Sequence, residues 1–248
     1  MTSTIAMLSI AACNHSGNQG GGSATTNDTI AVTQAKPPPG GAWTDVVNAT
    51  SEGGVVMGNP DAKVKLLEIA SLGCPYCKRF EDEGAPHVID YVKSGQVSWE
   101  FRPYIIHGPV DMAANLIVRC NGLKTFFPLV FALYRDQTSW MDKVEAAPKD
   151  KTDQMQNLPT TQVFAAFADL AGLPQWAAAR GVPMAKSSQC LSDQKMIDRE
   201  VQITSNVSTE FPDFKGTPSF VLNGKFLADV GTWDKLKPQL DAAVQAAR

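Results

Sequence analysis

The residues best suited to do chemistry in this sequence are Cys74 and Cys77, separated by Pro75 and Tyr76. Two thiols at this spacing can close a small disulfide ring and reopen it by exchange with another thiol. Proline is well tolerated in the first turn of a helix, where its missing N–H leaves no bond unmade. Cys74 is therefore expected at a helix start, with backbone N–H groups directed at its sulfur and favouring the thiolate. That makes Cys74 the attacking sulfur and Cys77, one turn on, the sulfur that resolves a mixed disulfide. The competing use of such a pair is half of a zinc site, which needs two further ligands. Cys120 and Cys190 are isolated, and neither has a histidine at the usual spacing. No metal and no cofactor are expected. A copper(I)-holding binding module stays open as a function of a different class. His87 and His107 have no nucleophile nearby by spacing, so they are expected to be structural or exposed, and a Ser-His-Asp arrangement has no support.

Positioning the pair requires a strand before it and a helix after it. Val64–Ala70 is a short, mainly apolar run suited to a buried central strand. The helix opened by Pro75 is expected to reach about Ser94, to bend at Gly84-Ala85-Pro86 and to stop at Gly95. Val97–Phe101 alternates as a second strand should, and the order strand, helix, strand implies parallel pairing. From Asp111 to about Phe211 the periodicity turns helical: Ala113, Leu116, Ile117 and Cys120 share one face, Phe127, Val130, Phe131 and Tyr134 another, and Val163, Phe164 and Phe167 repeat the pattern. About a hundred residues of helix between strands is too long for a loop and reads as an inserted subdomain. Strand pattern returns at Pro218–Leu222 and Lys225–Ala228, joined by Asn223-Gly224, a strong hairpin signal because both turn residues need positive φ. Thr232 is expected to cap a last helix with an apolar stripe of Trp233, Leu236, Leu240 and Val244.

A chain of 248 residues can bury one good core, or one domain with a large insertion. A formal charge of -3 without a clustered basic surface gives no basis for nucleic-acid binding. No apolar run reaches the length of a permanent bilayer-spanning helix. Thr4–Ala12 is a short apolar stretch ending in small residues before Cys13, and it resembles the end of a bacterial lipoprotein signal. Ile10-Ala11-Ala12-Cys13 would then be its cleavage and lipidation box, although no Lys or Arg precedes the stretch. On that reading residues 1–13 are a signal, Cys13 is a lipidation candidate and the protein has a possible lipid anchor. Residues 14–42 are Gly-, Ser-, Thr- and Pro-rich and are expected to form a disordered linker, with packed structure from Trp43.

Over about residues 50–248 the chain resembles the DsbA-like branch of the thioredoxin superfamily. Cys74-Pro75-Tyr76-Cys77 fits the branch's Cys-Pro-x-Cys form, and Glu68 stands six residues before Cys74, where the branch places a buried acid. Gly216-Thr217-Pro218 precedes a strand, like the loop whose cis-proline faces the active site. Gly122 to Phe126, with Gln137 and Trp140 beyond, is similar to the branch's helical insertion. The resemblance implies an α/β thioredoxin fold over residues 43–248 with a helical subdomain inserted at about 111–211. It also implies an extracytoplasmic thiol–disulfide oxidoreductase that donates a Cys74–Cys77 disulfide to exported client proteins with cysteines. Such a protein would be periplasmic, served by a membrane oxidase or reductase, and monomeric; reduction or isomerisation through the same centre is the alternative. Site residues implied beyond the cysteines are Glu68, Tyr76, Thr217 and Pro218.

Elementary chemistry supports each transfer. A carboxyl on a buried strand has a raised pKa and can take or give the Cys77 proton; the other reading pairs Glu68 with Lys65 or Lys78. A cis bond at Pro218 would leave Thr217 free to bind client backbone, whereas a trans proline would simply start the strand. Tyr76 can tune Cys74 and touch substrate, or merely pack. Tyr76 and Thr217 lean toward isomerase or reductase members, since strong oxidants of the branch carry His and Val there; a potential milder than theirs is expected. With Cys13 lipidated and Cys74 and Cys77 in catalysis, Cys120 and Cys190 remain. An oxidising compartment would join them and close a loop of about 70 residues, adding roughly 4 kcal/mol. Two buried free thiols are the alternative.

Overall fold

The computed structural model describes residues 36–248, so the signal, the lipidation candidate Cys13 and most of the expected linker lie outside the described residues. Regular structure begins with a 3-10 turn at Trp43–Asp45, followed by β1 (Val47–Ala49), β2 (Val55–Gly58) and β3 (Val64–Ala70). Next come α1 (Pro75–Glu83), α2 (Ala85–Lys93) and β4 (Val97–Pro103). The helical insertion runs through α3 (Gly108–Cys120), α4 (Leu123–Arg135), α5 (Gln137–Glu145), α6 (Lys149–Gln156), α7 (Thr160–Ala171), α8 (Leu173–Ala178), α9 (Met184–Leu191) and α10 (Gln194–Glu210). The chain then returns through β5 (Ser219–Leu222) and β6 (Lys225–Phe226) to α11 (Trp233–Ala246).

Among the described residues the strands form one sheet in the order β1-β2-β4-β3-β5-β6. β3 is central because it can be buried on both faces: five of its last five residues, Leu66 to Ala70, are buried. It pairs in parallel with β4 (Glu68 opposite Phe101) and antiparallel with β5 (Glu68 opposite Phe220). Period-two alternation then sorts its side chains. Leu66 and Ala70 join the large core with Trp99, Phe80, Leu116 and Val130, while Leu67 and Ile69 meet Val207, Phe211 and Val221 on the opposite face. Within the insertion, α3 is the hub, buried along most of its length and packed against α4, α7 and α9. The fold is therefore a thioredoxin-type α/β unit interrupted between β4 and β5 by a helical subdomain.

The structure adjusts the sequence reading in several places. The expected bend becomes a break, since Gly84 ends α1 and α2 restarts at Ala85. β1 and β2 were not anticipated; the run Val55–Met57 is too short, and too closely bounded by glycines and Asn59-Pro60, to register as a strand. The hairpin turn has the required positive φ at Asn223 (51) and Gly224 (80). Its second strand nevertheless stops at Phe226 rather than Ala228, because Asp229 (φ 59) turns the chain away. Thr232 occupies the N-cap of α11, but its side chain makes no capping hydrogen bond, which corrects the expected role. The stripe of Trp233, Leu236, Leu240 and Val244 is buried as its spacing requires. No helix among the described residues is long and apolar enough to cross a membrane.

Candidate active site

Cys74 is the N-cap of α1, with Pro75 in the first turn, so the last residues of the β3–α1 connection deliver it to the edge of the helix N-terminus. Cys74 and Cys77 are free thiols and both are buried, at 3% and 0% exposure. Their environments drive their acidities apart. The Cys74 thiol is lowered to about 5, first by its hydrogen bond with Cys77, then with help from Thr217 and the backbone N–H groups of Cys77 and Tyr76, against the cost of burial. Burial pushes Cys77 well above the ordinary thiol range, reinforced by the neighbouring Cys74 and Glu68. One sulfur is thus built to be a thiolate and the other to hold its proton.

Glu68 lies beneath the pair, 1% exposed, and both its carboxyl oxygens lack a hydrogen-bond partner among the described residues. Burial raises its pKa well above the usual carboxylate range, with Glu81 adding to the effect and the Trp99 indole opposing it weakly. The pairing with Lys65 or Lys78 does not occur. Lys65 Nζ donates to the Pro60 carbonyl at 2.6 Å, and Lys78 pairs with Asp82 at 2.7 Å. A lysine swung inward to Glu68 would give up water, so both point out.

From the other side the Gly216–Pro218 loop closes on Cys74. The Thr217–Pro218 peptide is cis, and the Cys74 thiol donates to the Thr217 carbonyl oxygen at 3.4 Å. The Thr217 hydroxyl is buried and has no hydrogen-bond partner among the described residues. Tyr76 is 69% exposed, so it does not pack inward. It lines a cavity of about 400 Å3 with Gly216, Thr217, Pro218, Leu227 and Val230. A groove of about 580 Å3 among Met57, Ile89, Lys93, Lys124 and Phe131 shares no lining residue with the cysteine site.

Sequence reasoning missed the residues that hold the loop ahead of Cys74. Asp111 of α3, fully buried, accepts from the Ser71 hydroxyl at 2.7 Å, from the Gly73, Ile106 and His107 N–H groups, and from the Asn115 amide. Tyr134 of α4 donates to the Ser71 carbonyl at 3.0 Å. Gln137 of α5 donates to the carbonyls of Leu72 and Cys74 at 2.7 and 3.1 Å. A Cβ at Gly73 would lie 2.7 Å from that of His107, so only glycine lets the two loops meet. An acid in a helical first turn carries no sequence signal that separates a solvated position from this buried hub. Gln137 was picked out only through the family resemblance, without a role. His107 therefore serves by its backbone, and His87 is exposed and stacks on Trp233 at 5.1 Å between centroids.

Away from this site, Cys120 of α3 and Cys190 of α9 are joined by a disulfide across a sequence separation of 70. No group of three or more His, Cys, Asp or Glu able to hold a metal ion occurs among the described residues.

The chain is similar in sequence and fold to known proteins. The family model described as Thioredoxin matches residues 50–242. The crystal structure of a protein-disulfide isomerase from Novosphingobium aromaticivorans is similar at a TM-score of 0.73 and 29% identity, covering 76% of this chain and 96% of that one. The structure of alpha-DsbA1 from Wolbachia pipientis is similar in fold, at a TM-score of 0.63 and 18% identity over 80% of this chain and 94% of that one. A Rickettsia bellii protein provisionally named a protein-disulfide oxidoreductase is 26% identical over 175 residues, 70% of this chain. The chain spans 58% of the length of that relative.

Proposed function

From the premise that this chain belongs to the thioredoxin family and has a DsbA-like fold, we propose that it is a protein thiol–disulfide oxidoreductase that oxidises exported proteins. The observation that carries this reading is the placement of the two sulfurs: Cys74 caps the N-terminus of α1 against the cis Thr217–Pro218 loop, and Cys77 is fully buried one turn on, which favours a thiolate at the first and a thiol at the second. A disulfide donor must release a stable thiolate at one sulfur and protonate the other, and this pair is arranged for both.

The reaction runs in two exchanges. A client thiolate attacks Cys74 Sγ, a client–Cys74 disulfide forms, and the Cys74–Cys77 bond breaks with its electron pair on Cys77. The buried Cys77 sulfur takes a proton, which Glu68, itself held protonated by burial, is placed to give. A second client thiolate then attacks the client sulfur and expels Cys74 as a thiolate that needs no proton near neutral pH. The client leaves with a disulfide, and the enzyme holds a Cys74 thiolate and a Cys77 thiol. A membrane oxidase reverses the process at the pair. Thr217 and Tyr76, flanking the 400 Å3 cavity, are the residues that meet client backbone and side chain.

The site is taken to lie in the periplasm, a compartment consistent with the Cys120–Cys190 disulfide, and the protein to act as a monomer. Tyr76 brings no imidazolium charge to Cys74, which favours a milder oxidant than members with histidine there. The same substitution is what favours the second reading, isomerisation or reduction. Two measurements separate them: sedimentation of the protein, and recovery of ribonuclease activity from reduced versus scrambled enzyme. A monomer that recovers the reduced substrate and leaves the scrambled one largely inactive is expected. A stable dimer that rescues scrambled ribonuclease efficiently would establish the isomerase instead, and tight copper(I) binding without exchange would establish a binding module.

A further inference from the structure

Two loops meet beside Cys74, and the sheet puts them there. β3 and β4 are parallel and end in register, Ala70 opposite Pro103, so the chain leaves both strands side by side at one edge of the sheet. Between the two connections stands Asp111 of α3, with no exposed surface. Its Oδ2 accepts from the Ser71 hydroxyl at 2.7 Å and from the N–H groups of Ile106 and His107 at 3.2 and 3.3 Å. Its Oδ1 accepts from the Gly73 N–H at 3.3 Å and from the Asn115 amide at 3.2 Å. Tyr134 and Gln137 bond to the first loop, whereas Asp111 bonds to both. Every group turned toward it is a donor, and three are backbone N–H groups that cannot turn round to accept. An ionised carboxylate, which accepts and never donates, satisfies them all.

We propose that Asp111 is the positioning residue for Cys74: by holding the two loops in one register, it keeps the Cys74 sulfur at the N-terminus of α1 and against the Thr217 carbonyl. The proposal rests on the oxidoreductase reading above. The path from carboxylate to sulfur is short. The Gly73 N–H that Asp111 holds belongs to the residue before Cys74. The carbonyl of Ser71, whose hydroxyl it also holds, accepts the Cys74 N–H at 3.1 Å. The second loop acts as a backstop, since His107, fixed by its own N–H, leaves no room for a Cβ at Gly73. With the carboxylate gone, the first loop is free to carry Cys74 away from the Thr217 oxygen, now at 3.4 Å, and from the helix N–H groups. Position and charge act here with opposite signs. Holding the sulfur at those donors favours its thiolate, while a second negative charge nearby opposes it.

That opposition makes the proposal testable in the full chain with Asp111→Asn. The new NH2 group must face either the N–H groups of Ile106 and His107 or that of Gly73, so one loop is released whichever way the amide turns. Two readouts are taken: the pH midpoint of Cys74 alkylation by iodoacetamide, and the thiol–disulfide equilibrium with glutathione at neutral pH. The midpoint should rise by about one pH unit. The equilibrium should move about tenfold toward the protein disulfide, because a less stable thiolate disfavours the reduced form. The control is Ile117→Ala, which opens a cavity further along the same buried helix; it should lower stability and leave both readouts where they were. An unchanged midpoint in Asp111→Asn, or an equal shift in Ile117→Ala, would make Asp111 an ordinary structural residue and overturn the proposal. A midpoint that falls would show that Asp111 acts as a charge, and would overturn it too. Should Asp111→Asn fail to fold, Gly73→Ala decides: it keeps the carboxylate but forces the loops apart, and the midpoint should again rise. No rise there excludes the proposal. Failure of the unaltered protein to exchange with glutathione would instead sink the function itself.

Discussion

The molecule holds two pairs of cysteines in two regions, and the regions treat sulfur oppositely. Cys74 and Cys77, with two residues between them, sit where β3 meets α1 as free thiols whose acidities are driven apart by their mutual hydrogen bond and the burial of Cys77, with smaller help from the helix N-terminus, the Thr217 loop and Glu68. Cys120 and Cys190 are 70 residues apart inside the helical insertion, joined across α3 and α9. Cys120 is 7% exposed and Cys74 3%, so burial alone does not separate a structural from a reactive sulfur. What differs is the polar surrounding: N–H groups, Thr217 and Glu68 at one pair, and packed helices at the other. Reactivity follows from that surrounding, and stability follows from the length of chain closed.

The largest effect expected from breaking this contrast is at the reactive pair. Cys74→Ser should abolish exchange, whereas Cys77→Ser should accumulate mixed disulfides with client proteins on non-reducing gels. Trapping by the Cys74→Ser variant would reverse the assigned roles. The structural pair should respond in the opposite sense. Replacing Cys120 and Cys190 by alanine should cost roughly 4 kcal/mol of stability in denaturant titrations of the disulfide-intact and double-variant proteins. Peptide oxidation at 25 °C should change little, and a loss of activity out of proportion to unfolding would show that the second pair takes part in exchange.

A smaller and two-sided effect is expected at Glu68. Glu68→Gln keeps size and hydrogen-bonding capacity but removes the proton donor, so oxidation should slow by about a hundredfold with a flattened pH profile. The same change should stabilise the fold at neutral pH. A carboxyl whose pKa is raised by folding holds its proton more tightly in the folded chain, so its contribution falls as pH rises from about 4.5 through the folded value. Removing the ionisable group removes that loss. A variant that is both slower and less stable would mean that Glu68 is a structural residue.

How much of this was legible beforehand follows the same division. The cysteine pair, the strand before it and the helix after it are local, and spacing plus periodicity fixed their types. The Asn223-Gly224 hairpin was legible because positive φ restricts residue choice. The burial of Glu68 could be expected from its place in an apolar strand, but its lack of any partner could not, since that depends on where Lys65 and Lys78 point. Asp111, Tyr134 and Gln137 were not assigned to the site at all. Each reaches the Ser71–Cys74 loop from a different helix of the insertion, more than thirty residues away in sequence. Hydrogen bonds over such separations leave no period in the chain. β1 and β2 were missed for the related reason that a strand of three or four residues is held by its neighbours more than by its own pattern.

The central claim is that Cys74 is a thiolate at neutral pH because of where it stands. The most direct measurement is the rate of alkylation of the reduced protein by iodoacetamide between pH 3 and 9, with mass analysis locating the modified cysteine. Alkylation should fall on Cys74 and follow a single titration centred at about 5, with Cys77 unreactive throughout. Because that pKa is lowered by folding, the reduced form should also gain stability over the oxidised form as pH rises from about 5 to 9, the ordinary thiol value. Alkylation that rises only above pH 8, or that falls first on Cys77, would contradict the account.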